Sequence, residues 1–218
     1  MNQPNTIVSK RLSSWRIRES LVEYSASSFR LGRDTMIIDS ALTRSQAIRQ
    51  NPSFPCSPKI LNRMCVMAIS YISFDGLIHR GQLVIHHALA LEVRGIFAEI
   101  LAAGFPIAKM IPISHYHFDD ERSMQCNNTS GFNYRRIEGT DRLSLHAHGY
   151  AIDINPLLNP FVMGGREAPR GAQYCPEKSG TITPDSVVTQ AFRQRGWGWG
   201  GEMWRDRVDY QHFEKQKP

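Results

Sequence analysis

Ser144-Leu145-His146-Ala147-His148-Gly149-Tyr150-Ala151-Ile152-Asp153-Ile154-Asn155-Pro156 sets the densest cluster of polar side chains of the chain in an apolar frame. Zinc takes imidazole and carboxylate ligands in a tetrahedron, and a catalytic site keeps one position for water. His146 and Asp153 are seven residues apart, which would put them on opposite faces of one straight strand. A loop must therefore bend between them. Gly149 supplies the bend, and Ala151 to Ile154 then enter a sheet with Asp153 projecting into the site. A His and an Asp at this spacing are by themselves more often a cap or a hydrogen-bonded pair, so a metal site needs a third ligand. Asp209-Tyr210-Gln211-His212 offers one, together with a carboxylate of a different role.

The two segments together resemble the VanY-type zinc D-Ala-D-Ala carboxypeptidases and L-alanyl-D-glutamate endopeptidases. Ser144, His146, Gly149, Ala151 and Asp153 fill every fixed position of that family's Ser-x-His-x-x-Gly-x-Ala-x-Asp motif. Trp199-Gly200-Gly201 before Asp209-Tyr210-Gln211-His212-Phe213 is similar to its second motif. Further similarity lies in Phe74-Asp75-Gly76 through Gly81 to the helix and strand before Met110, in Asn127-Asn128-Thr129-Ser130, and in Phe132-Asn133-Tyr134-Arg135, so it covers roughly residues 60 to 215.

The resemblance implies a Hedgehog-like, DD-peptidase-like zinc domain of α+β class, a small antiparallel sheet with packed helices, acting on peptidoglycan stem peptides. It implies zinc ligation by His146, Asp153 and His212, and Asp209 as general base. An Arg upstream of the first motif polarises or anchors substrate; Arg135 is the choice, with Arg122 and Arg136 as candidates. Ser144, Tyr150 and Trp199 join Arg122 as candidate substrate-binding residues, Ser144 only as a donor behind the ligands. The chemistry of the residue types agrees: two imidazoles and a carboxylate leave one metal position for a water whose pKa falls towards 7, and a neighbouring carboxylate can take its proton. Two bonds compete, L-Ala-D-Glu and terminal D-Ala-D-Ala, with the compact spacing and the Asp base leaning towards the first. The rival reading is a non-catalytic, zinc-stabilised wall-binding module. The expected location is periplasmic, extracellular or cell-wall associated, the expected partner the wall peptide, and the expected state a monomer.

Outward from the motifs, Val66 to Ser73 reads as a strand, Asp75-Gly76 as a two-residue hairpin turn, and Leu83-Val84-Ile85 as part of the returning strand. Leu89, Val93, Ile96, Phe97, Ile100 and Leu101 form one helical stripe that Gly104 can cap and Pro106 cannot continue. Ile107 to Ile113 reads as a further strand, running into the polar loop His115 to Arg136. Thr183-Pro184-Asp185 is expected to start a helix that Gly196 ends. Asn51 to Pro58 places three prolines within seven positions, so residues 1–58 are expected to be a basic extension and linker before a peptidase domain at 59–218.

Apolar residues at 41% and charged residues at 21% exclude a disordered or low-complexity chain. The net charge is +6, but the first fifty residues hold eight of the 26 cations and four of the 20 anions. The remainder is nearly balanced, which disfavours a dedicated nucleic-acid surface. No apolar run is long enough for a membrane helix, so no stable insertion is expected. The N-terminus carries Lys10, Arg11, Arg16 and Arg18 but no signal-peptide apolar region or cleavage site. Cys56, Cys65, Cys126 and Cys175 lack metal-site spacing and are compatible with disulfides or free thiols. His115 and His117 read as loop histidines, His86 and His87 as a cap or exposed pair, and His148 as a cleft-wall residue rather than a ligand. Trp197, Trp199 and Trp204 read first as core and second as a stacking surface for sugar or peptide.

Overall fold

Two nine-residue strands, β2 (Met64–Ile72) and β3 (Ile78–His86), form the longest regular feature of the computed structural model, which describes residues 36–216. Their register runs from Met64 opposite His86 to Ile72 opposite Ile78, so the turn is the five-residue loop 73–77 rather than the two-residue turn expected at Asp75-Gly76. Asp75 still shapes it, its carboxylate accepting the Leu77 N–H at 2.9 Å. Met67, Ile69, Tyr71, Leu83 and Ile85 of the hairpin are buried.

Helix α3 (Ala90–Ala102) lies in the expected place, with Val93, Ile96, Phe97 and Ile100 buried and Gly104 beyond its end at a positive φ of 69°. A short helix with its N-cap at Ser186, α5 (Val187–Arg193), meets it through Phe192, whose ring lies edge-on to Phe97 at 6.4 Å. The cap is Ser186 and not Thr183, because the Ser186 hydroxyl accepts the Thr189 N–H at 3.3 Å. The expected strand over residues 107 to 113 shrinks to β4 (Lys109–Met110), paired in parallel with β5 (Asn128–Thr129).

Beyond the hairpin sheet the strands are short. β6 (Ala151–Asp153), β11 (His212–Glu214) and β9 (Gly198–Trp199) make an antiparallel sheet in the order β6-β11-β9. β7 (Phe161–Met163), β8 (Arg166–Ala168) and β10 (Arg207–Asp209) make another, in the order β10-β7-β8. The class is α+β, with several small sheets in place of one and with parallel as well as antiparallel pairs.

Packing starts upstream of the proline run. β1 (Ile37–Ile38) pairs in parallel with β3, and Gln82 accepts from Ser40 Oγ and the Leu42 N–H, each at 2.7 Å. The helical turns α1 (Arg44–Ala47) and α2 (Pro58–Leu61) follow, with Ala47, Ile48 and Cys56 buried against Met64, Val84 and Phe132. Pro58 starts α2 behind the Ser57 cap, where its missing N–H costs nothing. Among the described residues, pairing with the hairpin begins at Ile37, upstream of the prolines that suggested a boundary at 58. The basic residues 10, 11, 16 and 18 lie outside the described residues. The four cysteines are unpaired, and no described helix is long and apolar enough to cross a membrane.

Candidate metal centre

His146 sits in a 3-10 turn (Leu145–His148), started by Ser144, whose hydroxyl accepts the His146 N–H at 3.3 Å. Gly149 ends the turn at φ 68° and delivers the chain into β6, so the bend inferred from the sequence is present. A Cβ on Gly149 would stand 2.5 Å from the His86 backbone nitrogen, so any side chain would push this turn off the hairpin. Asp153 ends β6, and His212 lies directly opposite it on β11. Directly opposed residues present their side chains on the same face, which is how these two candidate ligands far apart in sequence meet.

The three ligand atoms form a tight triangle. His146 Nε2 is 3.2 Å from His212 Nδ1 and 3.1 Å from Asp153 Oδ2, and His212 Nδ1 is 2.9 Å from Asp153 Oδ1. A tetrahedron with metal–ligand bonds of about 2.0–2.1 Å has edges of about 3.3 Å, slightly longer than these separations. The outer atoms fix the tautomers. His146 Nδ1 is 2.6 Å from the Gly131 carbonyl, which can only accept, so Nε2 is left with its lone pair towards the cluster. His212 Nε2 faces Glu214 Oε2 at 3.1 Å, leaving Nδ1 for the same space. The set can hold a metal ion.

Its electrostatics ask for a cation. Burial alone would raise Asp153, but the His146 and His212 imidazoles hold it far below the ordinary carboxylate range. Burial alone would lower His212, yet Asp153 and Glu214 outweigh it and push it up to about 10. Asp209, on β10, goes the other way: burial, reinforced by the Asp153 charge, pushes it up to about 6 against the pull of His212, His146 and Gln211. Its Oδ1 is buried and has no hydrogen-bond partner among the described residues.

Residues 138–215 match a peptidase family. The matching model, of the M15 peptidases, is described as D-alanyl-D-alanine carboxypeptidase. No curated protein and no solved structure matches the chain. The match contains His146, Asp153, Asp209 and His212, and M15 peptidases are metal-dependent.

The other expected site residues are dispersed. Arg135 lines a cleft of about 400 Å³ with Asn51, Phe54, Phe118, Asn133, Tyr134 and Arg136. Its Nε is 3.0 Å from Asp120 Oδ2 but poorly aligned, an ion pair without a true hydrogen bond. The backbone ties this cleft to the metal turn: Asn133 N–H donates to the His146 carbonyl and Ser144 N–H to the Arg135 carbonyl, both at 3.1 Å. Arg122 is exposed on α4 (Asp120–Gln125), and Arg136 pairs with exposed Asp141 at 2.8 Å. Tyr150 and Trp199 are buried in the core, Trp199 donating its indole N–H to the Tyr210 carbonyl at 2.9 Å. Trp197 is core as well, while Trp204 is half-buried, its ring 5.8 Å from that of His212. His115 and His117 are exposed, and His86 caps the following turn through its ring, which accepts the Ala88 N–H at 3.2 Å.

Sequence reasoning missed Glu214 and the Gly131 carbonyl, the two groups that orient the imidazoles. Glu214 had a signal: it stands two residues after His212, hence on the same face of a strand. The Gly131 carbonyl had none, because a backbone acceptor is invisible until the chain is folded.

Proposed function

We propose that the protein is a zinc-dependent peptidase that hydrolyses amide bonds of peptidoglycan stem peptides. The observation that carries this reading is the half-buried Asp209, with a partnerless Oδ1, beside a three-ligand His146, Asp153 and His212 cluster. A zinc ion in that cluster would supply Lewis acidity, making water acidic enough to serve as nucleophile near neutrality.

The chain's own residues do the rest. Glu214 and the Gly131 carbonyl hold the two imidazoles in the ligating tautomers. Asp209, held at about 6, is ionised at neutral pH yet basic enough to take a proton from water and return it to the leaving amine. Arg135, paired with Asp120, is the candidate cation for the oxyanion or a substrate carboxylate. The cleaved bond is L-Ala-D-Glu or terminal D-Ala-D-Ala, and the site of action is the cell wall.

The test is Asp209→Asn, which keeps size and removes the base. Zinc content should be unchanged while hydrolysis of a stem peptide falls by about two to four orders of magnitude. A zinc-loaded wild type that binds wall fragments but releases no new amine would leave the non-catalytic wall-binding module as the correct reading.

A further inference from the structure

Arg207 is carried by the strand that carries Asp209. It stands two residues before Asp209 on β10, and alternation puts the two side chains on one face, about 7 Å apart along the strand. Its guanidinium lies 4.6 Å over the Trp204 ring. That ring in turn is tilted 39° against His212. Trp204 and Asp209 also share a wall: a Cβ on Gly200 would meet the Trp204 ring at 2.9 Å and Asp209 Cβ at 3.0 Å. Gly200 thus lets the indole settle beside the carboxylate.

Among the described residues, no hydrogen bond engages the Arg207 guanidinium. Its nearest acid is the well-exposed Asp206 at 3.7 Å, beyond hydrogen-bond reach. Stacking on an indole fixes the plane of a guanidinium and turns its N–H edge outward, the arrangement that grips a carboxylate with two parallel bonds. Arg135, by contrast, has its Nε side taken by Asp120 and belongs to a different segment.

We propose that Arg207, held flat by Trp204, binds the α-carboxylate of the residue whose amine leaves. This rests on the peptidase reading and names what its substrates share. In a D-Ala-D-Ala end the leaving residue carries a free terminal carboxylate. In an L-Ala-D-Glu bond the stem continues through the D-Glu side chain, so its α-carboxylate is free too. Either carboxylate is attached to the carbon next to the scissile nitrogen. A group that protonates that nitrogen from Asp209 and a cation two residues away on the same strand face match this one-carbon separation.

The experiment compares two peptide pairs, a stem pentapeptide ending in D-Ala-D-Ala and a stem peptide with an intact L-Ala-D-Glu bond, each with the leaving residue's α-carboxylate free or converted to the carboxamide. Wild type should prefer the free acid of the cleaved peptide by about tenfold to a hundredfold in kcat/KM, the worth of a paired guanidinium–carboxylate contact. Arg207→Gln should lower the free acid to the level of the amide and leave the amide unchanged; Arg207→Lys, which keeps charge without the fork, should fall between. Calorimetric binding of the same peptides to zinc-loaded Asp209→Asn protein, with and without Arg207→Gln, should show the same preference and its loss, at constant zinc content. Equal losses for acid and amide, or no loss for either, would overturn the role of Arg207. Absence of hydrolysis in wild type would overturn the peptidase reading instead, and the binding arm would still decide for or against Arg207.

Discussion

The β2–β3 hairpin and α3 satisfy their backbone internally, through nine-residue strands and a thirteen-residue helix. The ligand-bearing part has strands of two or three residues and relies on buried asparagines instead. Asn155 accepts the Ala108 N–H at 3.0 Å and donates to the carbonyls of Pro106 and Gly180. Asn159 accepts the Ile182 N–H and donates to Ile154, Asn155 and Gly180, and Asn128 brackets Ile111 from both sides. Ladders hold one region and side-chain amides the other. The difference suits the task, since His146 comes from a turn while Asp153 and His212 come from a short strand pair, and irregular backbone needs its polar groups paired wherever water is excluded.

This contrast can be broken by mutation, most severely at the centre. Asp153→Ala removes the anion between two imidazoles, and zinc measured by elemental analysis should drop from about one per chain to none; retained zinc would mean that the ligand set is wrong. Phe97→Ala, in the ladder-and-helix region, should cost about 3–5 kcal/mol in urea unfolding, with zinc retained by the fraction that stays folded. Asn155→Ala should cost about 2–4 kcal/mol by stranding buried groups, and here zinc affinity should weaken as well, because Asp153 is only two residues away. If Phe97→Ala weakened zinc binding as much as Asn155→Ala, the two regions would be one cooperative unit and the contrast would be lost.

The smallest effect concerns pH. His79 lies between Asp39 at 2.9 Å and Asp75 at 3.0 Å, while Tyr71 donates to Asp39 from the same hairpin. Burial by itself would lower the His79 imidazole, but the two carboxylates outweigh it and raise it above its ordinary value. A raised folded-state pKa contributes stability that is full below the unfolded value of about 6.5 and is lost as pH climbs through the folded one. The melting temperature of wild type should therefore exceed that of His79→Gln at mildly acid pH, and the gap should close on going alkaline. A gap that widened with pH would mean that His79 is held neutral.

The parts of this molecule that were legible in the sequence are those where chemistry or periodicity is local. The stripe from Val93 to Ile100 marked α3, and the family resemblance of the motifs that carry His146, Asp153 and His212 pointed to the cluster. What the sequence did not disclose is long-range. The packing of Ala47 and Ile48 was hidden because prolines at 52, 55 and 58 read as a linker, although Pro58 begins a helical turn. Trp199 looked available for a ligand because its burial depends on Phe213 and Tyr210, which only the β9–β11 pairing brings near.

The pairing of β6 with β11 carries one more consequence. Asp153 and His212 face each other in strands of three residues, and a slip by a single residue turns a side chain to the other side of a sheet. Such a slip would take the ligand out of the cluster altogether rather than displace it slightly. One residue gained or lost within either strand is therefore expected to abolish metal binding rather than weaken it.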